Sequence, residues 1–275
     1  MTTIIRATGV TFNNPDLPVV TPIITNGLVG AFRPSNKIGG LVDVSGNGHK
    51  MTMAGAPELT SISAKGDKNN GFITDIPDSK DITLMCVSRS IKNPSTGRFS
   101  GFVLSNYSGG NDLMRGGGIW YHDQSAGSVV TPILKANSYT KKISDGTYVN
   151  ATATPKTYTA GELIDGNETA WNFTAMTLNT VTNKQHAYMP ATSLAPVATY
   201  DHTAAGFNLA QRKLTLDNGQ PNFFRVINIL DSGNWTGTVE VAEVMVFDRA
   251  LSDSEIMQQY LYSKQYMAAN RGITI

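Results

Sequence analysis

Glycine and proline interrupt this chain at short intervals, and the stretches between them are short and rich in Val, Ile, Thr, Tyr and Phe. With 26 Gly and 12 Pro spread through 275 residues, strands joined by turns are the natural reading. Candidate strands are Leu28–Phe32, Gly71–Ile76, Ile82–Ser88, Phe99–Leu104, Gly118–Tyr121, Val129–Lys135, Asn172–Leu178, His186–Met189, Phe223–Ile229 and Val239–Phe247. That many strands exceed the comfortable size of one sheet, so two packed antiparallel sheets are expected, with the core between them. A sandwich of roughly 250 residues still folds as one domain.

Only the C-terminus carries a firm helix signal. Ser252 is placed to cap it, Glu255 completes a capping box, and Leu251 with Ile256 forms a hydrophobic staple. Ile256, Tyr260 and Met267, with Met257 and Leu261, make an apolar stripe at helical spacing, and Gly272 is the expected stop. Two segments differ from the rest. Residues 1–25 hold Pro15, Pro18 and Pro22 among Ile4, Ile5, Val10, Phe12 and Ile24, which reads as an extended arm. Residues 26–275 form the sandwich, in which the polar stretch 138–170 reads as a long surface loop or hairpin.

Charge excludes several partners. Charged residues are 16% and the net charge is +1, with no basic block, so nucleic acid is not an expected partner. No apolar run reaches the roughly 18 residues of a membrane helix. Cys86 is the sole cysteine, which leaves no disulfide framework and no thiolate cluster. MTTIIRATGVTFNNPDLPVV shows no signal-peptide pattern, so folding in a cytoplasm is expected.

Two terminal motifs are specific. GLVGAF at 27–32 is followed by DVSGNGHKMTMAGAPE at 43–58, and VEVAEVMVFDRALSDSEIMQQYLYSKQY occupies 239–266. They resemble the first strand, the Gly-rich turn, and the last core strand with its helix in concanavalin A-like and laminin G-like jelly rolls. Phe32 stands where that pattern has tryptophan, and Met51 where a glycine is common. The resemblance covers roughly 26–268. It implies an all-β, two-sheet antiparallel jelly-roll sandwich with one short C-terminal helix. The arm ahead of the sandwich is similar to those of tailed-phage virion proteins. That implies a tail-fibre or spike component made in host cytoplasm, a homo-oligomer, in the resembled class usually a trimer, assembled with other virion proteins and binding host-surface carbohydrate.

Chemistry is sparse. No E-x-D-x-x-E, G-x-S-x-G, H-E-x-x-H or P-loop string occurs. Glu240 and Glu243, three apart, fall on opposite faces of a regular strand. Glu243 reads as a hydrogen-bond acceptor for Arg249 or backbone amides rather than a general acid. Asp43, Ser45 and Asn47 copy the first half of a calcium loop, but Ala54 stands where its glutamate belongs. The alternative there is an Asx-type turn in which Asp43 accepts backbone N–H groups and Gly46 and Gly48 take positive φ. No cofactor is expected otherwise. Sugar sites need a flat ring and planar polar groups. Tyr107, Asn111, Asp112, Arg115, Trp120, Tyr121, His122, Asp123 and Gln124 supply both within one segment, with Trp171 and Trp235 as alternative platforms. The expectation is a non-enzymatic glycan-recognition module. The alternatives are a polysaccharide hydrolase or lyase with an unrecognised dyad, or an assembly domain without a ligand.

Overall fold

The computed structural model describes residues 24–107, 116–126, 129–216, 218–227 and 235–275. Residues 1–23 of the expected arm lie outside the described residues, and the assembly role given to them lies there too. The first eight strands are β1 (Leu28–Phe32), β2 (Met51–Ala54), β3 (Glu58–Leu59), β4 (Ala64–Gly66), β5 (Gly71–Pro77), β6 (Ile82–Ile91), β7 (Gly101–Ser105) and β8 (Gly117–Ala126). The next eight are β9 (Val129–Lys142), β10 (Tyr148–Thr157), β11 (Asn172–Asn179), β12 (Lys184–Tyr188), β13 (Ala198–Asp201), β14 (Phe207–Asn208), β15 (Phe223–Val226) and β16 (Thr238–Phe247). One α-helix, α1 (Asp253–Arg271), closes the chain.

Two eight-stranded antiparallel sheets form a jelly-roll sandwich. The first runs β13-β12-β11-β6-β16-β4-β3, with β1 also on β16, and the second runs β10-β9-β8-β7-β15-β5-β2, with β14 on β9. Every candidate strand of the sequence overlaps one of these, some with longer, some with shorter or shifted bounds, and residues 228 and 229 of Phe223–Ile229 lie outside the described residues. The stretch 138–170 is a hairpin rather than a loop. It continues β9, turns, and returns as edge strand β10.

Strand β16 sets the geometry of the first sheet. Val239, Val241, Val244 and Val246 point into the core between the sheets. Ala242, Met245 and Phe247 point outward into a second apolar cluster shared with α1. The change of parity comes from a bulge between Val241 and Glu243. An extra residue shifts the period-2 alternation by one. Glu240 and Glu243 therefore share the outer face, not opposite faces as a regular strand would place them. The bulge also divides one edge of β16, whose Val239–Val241 part pairs with β4 and whose Val244–Phe247 part pairs with β1.

Helix α1 lies on the outer face of the first sheet. Ile256, Tyr260 and Met267 are buried as the stripe predicts, but Leu261 is exposed and the buried face also carries Gln259, Ser263 and Arg271. Each large apolar side chain buried this way contributes roughly 1.5–3 kcal/mol. Ser252 Oγ accepts from the Glu255 N–H, Glu255 accepts from the Ser252 N–H at 2.9 Å, and Gly272 ends the helix at φ 64°.

Candidate functional site

Among the described residues, no α-helix covers the outer face of the second sheet. That face carries aromatic rings. Directly opposed residues of antiparallel strands project from the same face. Phe102 of β7 opposes Trp120 of β8, and Trp120 opposes Lys135 of β9. Asn137 of β9 opposes Thr152 of β10, and Tyr139 opposes Asn150. The intervening Ile119, Tyr121, Leu134 and Ala136 point the other way, into the core between the sheets. Alternation along β8 and β9 thus gives one face to packing and the other to Trp120, His122, Lys135, Asn137 and Tyr139.

The rings gather around Phe102. Its centroid lies 5.1 Å from Trp120, 5.8 Å from Tyr107 and 4.6 Å from Trp235, while Tyr107 lies 5.1 Å from Tyr139. A cavity of about 200 Å³ opens among them, with His122, Lys135, Asn137 and Asn150 on its polar side. Asn137 donates through Nδ2 to Asn150 Oδ1 at 2.7 Å and to Thr152 Oγ1 at 2.9 Å. Its Oδ1 is buried and accepts nothing. A buried acceptor left unmade costs about 1–3 kcal/mol, so a group that would satisfy it gains that much purchase. Lys135 is half-buried, pairs with no carboxylate among the described residues, and has its pKa lowered by burial.

The residues singled out in the sequence divide sharply. Tyr107, Trp120 and His122 line this cavity, and Trp235 of the alternative set joins them. Trp120 is only 3% exposed, so it is a wall of the cavity rather than the open platform expected of it. Tyr121 is a correction: it is wholly buried in the core, its hydroxyl facing Ser88 at 3.4 Å, where burial pushes its pKa up to about 12. Asp123 is a second correction. Its carboxylate accepts from the Phe99 N–H at 2.7 Å and the Ser100 hydroxyl at 2.8 Å, which fastens the approach to β7. Gln124 is exposed. Asn111, Asp112 and Arg115 lie outside the described residues. Trp171 immediately precedes β11 of the other sheet, its ring centroid 5.1 Å from the Arg89 guanidinium. Sequence reasoning missed Phe102, Lys135, Asn137, Tyr139 and Asn150. The signal was the alternation Lys135, Asn137, Tyr139, which a strand ended at residue 135 could not show.

The turn after β1 takes the Asx form. Asp43 accepts from the backbone N–H of Ala31 at 3.0 Å, of Ser45 at 2.9 Å and of His49 at 3.0 Å, and from the Ser45 hydroxyl at 2.8 Å. Gly46 and Gly48 hold φ of 85° and 81°. Asn47 donates to the carbonyls of Leu28 and Val29 at 2.7 and 2.9 Å. With both oxygens of Asp43 facing donors, this donor set does not fit calcium. The turn is a clasp on β1.

Glu243 and Arg249 do not meet. Glu243 accepts from Arg33 Nε at 2.7 Å and from Ser263 Oγ at 2.5 Å, deep under α1. Burial works against the Arg33 charge, but Glu243 together with Tyr262 and Tyr266 outweighs it and raises the arginine's pKa. Arg249 instead forms a bidentate pair with Glu255, at 2.5 and 3.1 Å. Its hydrogen bond holds the Glu255 carboxyl down at about 2. Glu240 is engaged by Arg89 Nε at 2.6 Å and by the Ser63 hydroxyl.

No protein-family model and no curated protein matches the chain. Solved structures do. The binding domain of Paraclostridial Mosquitocidal Protein 1 aligns over 88% of this chain and 53% of its own, at TM-score 0.56 and 13% identity. The receptor-binding domain of botulinum neurotoxin D aligns over 87% and 53%, at TM-score 0.53 and 10% identity. A structure of botulinum neurotoxin type C, whose cell entry depends on interaction with two ganglioside molecules, aligns over 87% and 52%, at TM-score 0.53 and 14% identity. This chain spans about half the length of each of these structures. At such identity the likeness is one of fold: a jelly-roll β-sandwich of the kind found in these receptor-binding domains, which are binding rather than catalytic domains.

Proposed function

We propose that this protein is a non-enzymatic carbohydrate-recognition module, that its site is the aromatic cavity on the outer face of the second sheet, and that it serves a tailed-phage virion as a tail-fibre or spike component. The observation that carries the site is the cavity itself. Aromatic walls suit the apolar face of a sugar ring, and the unsatisfied Asn137 Oδ1 suits a hydroxyl. The structural neighbours support a carbohydrate partner: a ganglioside requirement is stated for botulinum neurotoxin type C, and the ligand-binding domain of serotype D is known in complex with N-acetylneuraminic acid. The carboxylates Glu240 and Glu243, which a hydrolase reading would recruit, are taken up by Arg89 and Arg33. The phage setting rests on the arm sequence ahead of the jelly roll.

A glycan array probed with the full chain and with Trp235→Ala tests the site. Trp235 is half-buried at the cavity and outside the core between the sheets, so its loss is expected to leave the sandwich folded. Selective binding by the full chain, abolished in a variant with unchanged far-ultraviolet circular dichroism, is the expected result. Equal binding by both proteins would remove the cavity from consideration.

A further inference from the structure

Resting on that reading of the cavity, the structure points to a narrower ligand. We propose that the site takes a single acidic sugar residue, whose carboxylate meets the Lys135 ammonium while a hydroxyl or amide N–H donates to Asn137 Oδ1. Three observations carry this. First, Lys135 supplies the one fixed charge among the described lining residues, and no carboxylate there neutralises it. Its opposite number across the ladder is Trp120, so its stem leaves the sheet beside an aromatic ring, and the side chain is half-buried rather than in open water. A charge held in such surroundings favours an anionic partner, and a charge-assisted hydrogen bond there outweighs a neutral one. The lowering of the Lys135 pKa by burial agrees: the ammonium has lost water without gaining a counter-ion.

Second, Asn137 follows Lys135 by two residues on β9, so both project from one face about 7 Å apart along the strand. Asn137 is 1% exposed, its amide donors are committed to Asn150 and Thr152, and its oxygen is left unpaired. One cationic donor and one buried acceptor at this spacing suit a ring bearing an acid group on one side and a hydroxyl or amide on the other. Third, the cavity is small. At about 200 Å³ it lies below the roughly 300–1,000 Å³ of drug-sized sites, which fits one ring and not a chain of them. The ligand is thus a terminal residue or a branch.

Titration calorimetry on the full chain tests this with the methyl glycosides of glucuronic acid and of N-acetylneuraminic acid, each set against its own uncharged carboxamide. The expected result is binding of at least one acid, with its amide weaker by roughly tenfold. Lys135→Met should bring the acid down to the level of its amide, and added salt should weaken the acid alone. Lys135→Gln takes its place if the methionine variant does not fold. An amide that binds as well as its acid, or a charge-free variant that keeps the preference, overturns the acidic ligand. The cavity reading survives that outcome if Trp235→Ala still abolishes binding. Absence of binding by every probe overturns the acidic ligand and leaves the cavity to the glycan array, whereas binding untouched by Trp235→Ala overturns the acidic ligand together with the cavity.

Discussion

The Arg33–Glu243 pair shows how far one side chain's neighbours determine its role. Arg33 runs under α1, gives its Nε–H to Glu243, and lies 3.7 Å from the Tyr266 ring centroid. The pair is buried on both sides, so removing one charge strands the other. Glu243→Gln should therefore cost about 3 kcal/mol in urea denaturation. A loss near zero would mean that Arg33 escapes to solvent in the variant. His202 makes the opposite case, a titratable group kept neutral. It is wholly buried against the Tyr200 and Phe207 rings, with Nδ1 3.5 Å from Thr140 Oγ1 and Nε2 unpartnered. Burial, aided by Arg212 and opposed by Asp201, lowers its pKa from 6.5 to about 4. The unfolded chain then binds this proton first. Stability from the neutral ring is complete above pH 6.5, falls as the pH drops toward 4, and levels off below. Melting temperature should decline across that window, and His202→Phe should flatten the decline. An unchanged slope in the variant would assign it to other groups.

Among elements, the clearest prediction falls on α1. Its capping box was legible as Ser252 and Glu255, and the structure adds Arg249 as the partner that steadies the glutamate. Ser252→Ala should cost about 1 kcal/mol, read as a lowered denaturation midpoint. A midpoint unmoved would place the helix start elsewhere. The same scale shows what sequence could not reveal. The ten recognised strands carry β-branched and aromatic runs, whereas β2, β3, β4, β13 and β14 are two to four residues long and leave no periodic trace. Edge strand β10, YVNATATPKT, reads as polar because much of it faces solvent. The bulge in β16 was invisible for a different reason: VEVAEVMVF is apolar enough on both faces to fit either parity. With β9 cut short and β10 unrecognised, the sequence pointed to Tyr107, Trp120 and His122 but not to the strand pair that supplies the polar side of the cavity.

At the scale of the molecule, the two outer faces of the sandwich have different covers. The first sheet is sealed by α1, and the second presents the aromatic cavity. The arm of residues 1–25 is proposed to join copies of the chain, because its three prolines bar it from helix and central strand while its large apolar side chains need cover. The full chain should sediment as a trimer at micromolar concentration, and a chain beginning at Ile24 as a folded monomer. A full-length monomer would overturn the assembly proposal.

The clasp between the ends of the sandwich has a consequence for how such a body is carried. The Asp248 N–H donates to the Gly27 carbonyl at 2.9 Å, and Arg249 Nε donates to the Asn26 carbonyl at 2.9 Å. Ile24 and Ile275 are buried in the same apolar cluster. Residues 24 and 275 thus pack on one side of the described fold, a placement that would suit the body to use as a cassette. Spliced into a surface loop of another protein, it asks its host for neither a long tether nor a rearranged strand, and the cavity on its far sheet stays clear of the junction.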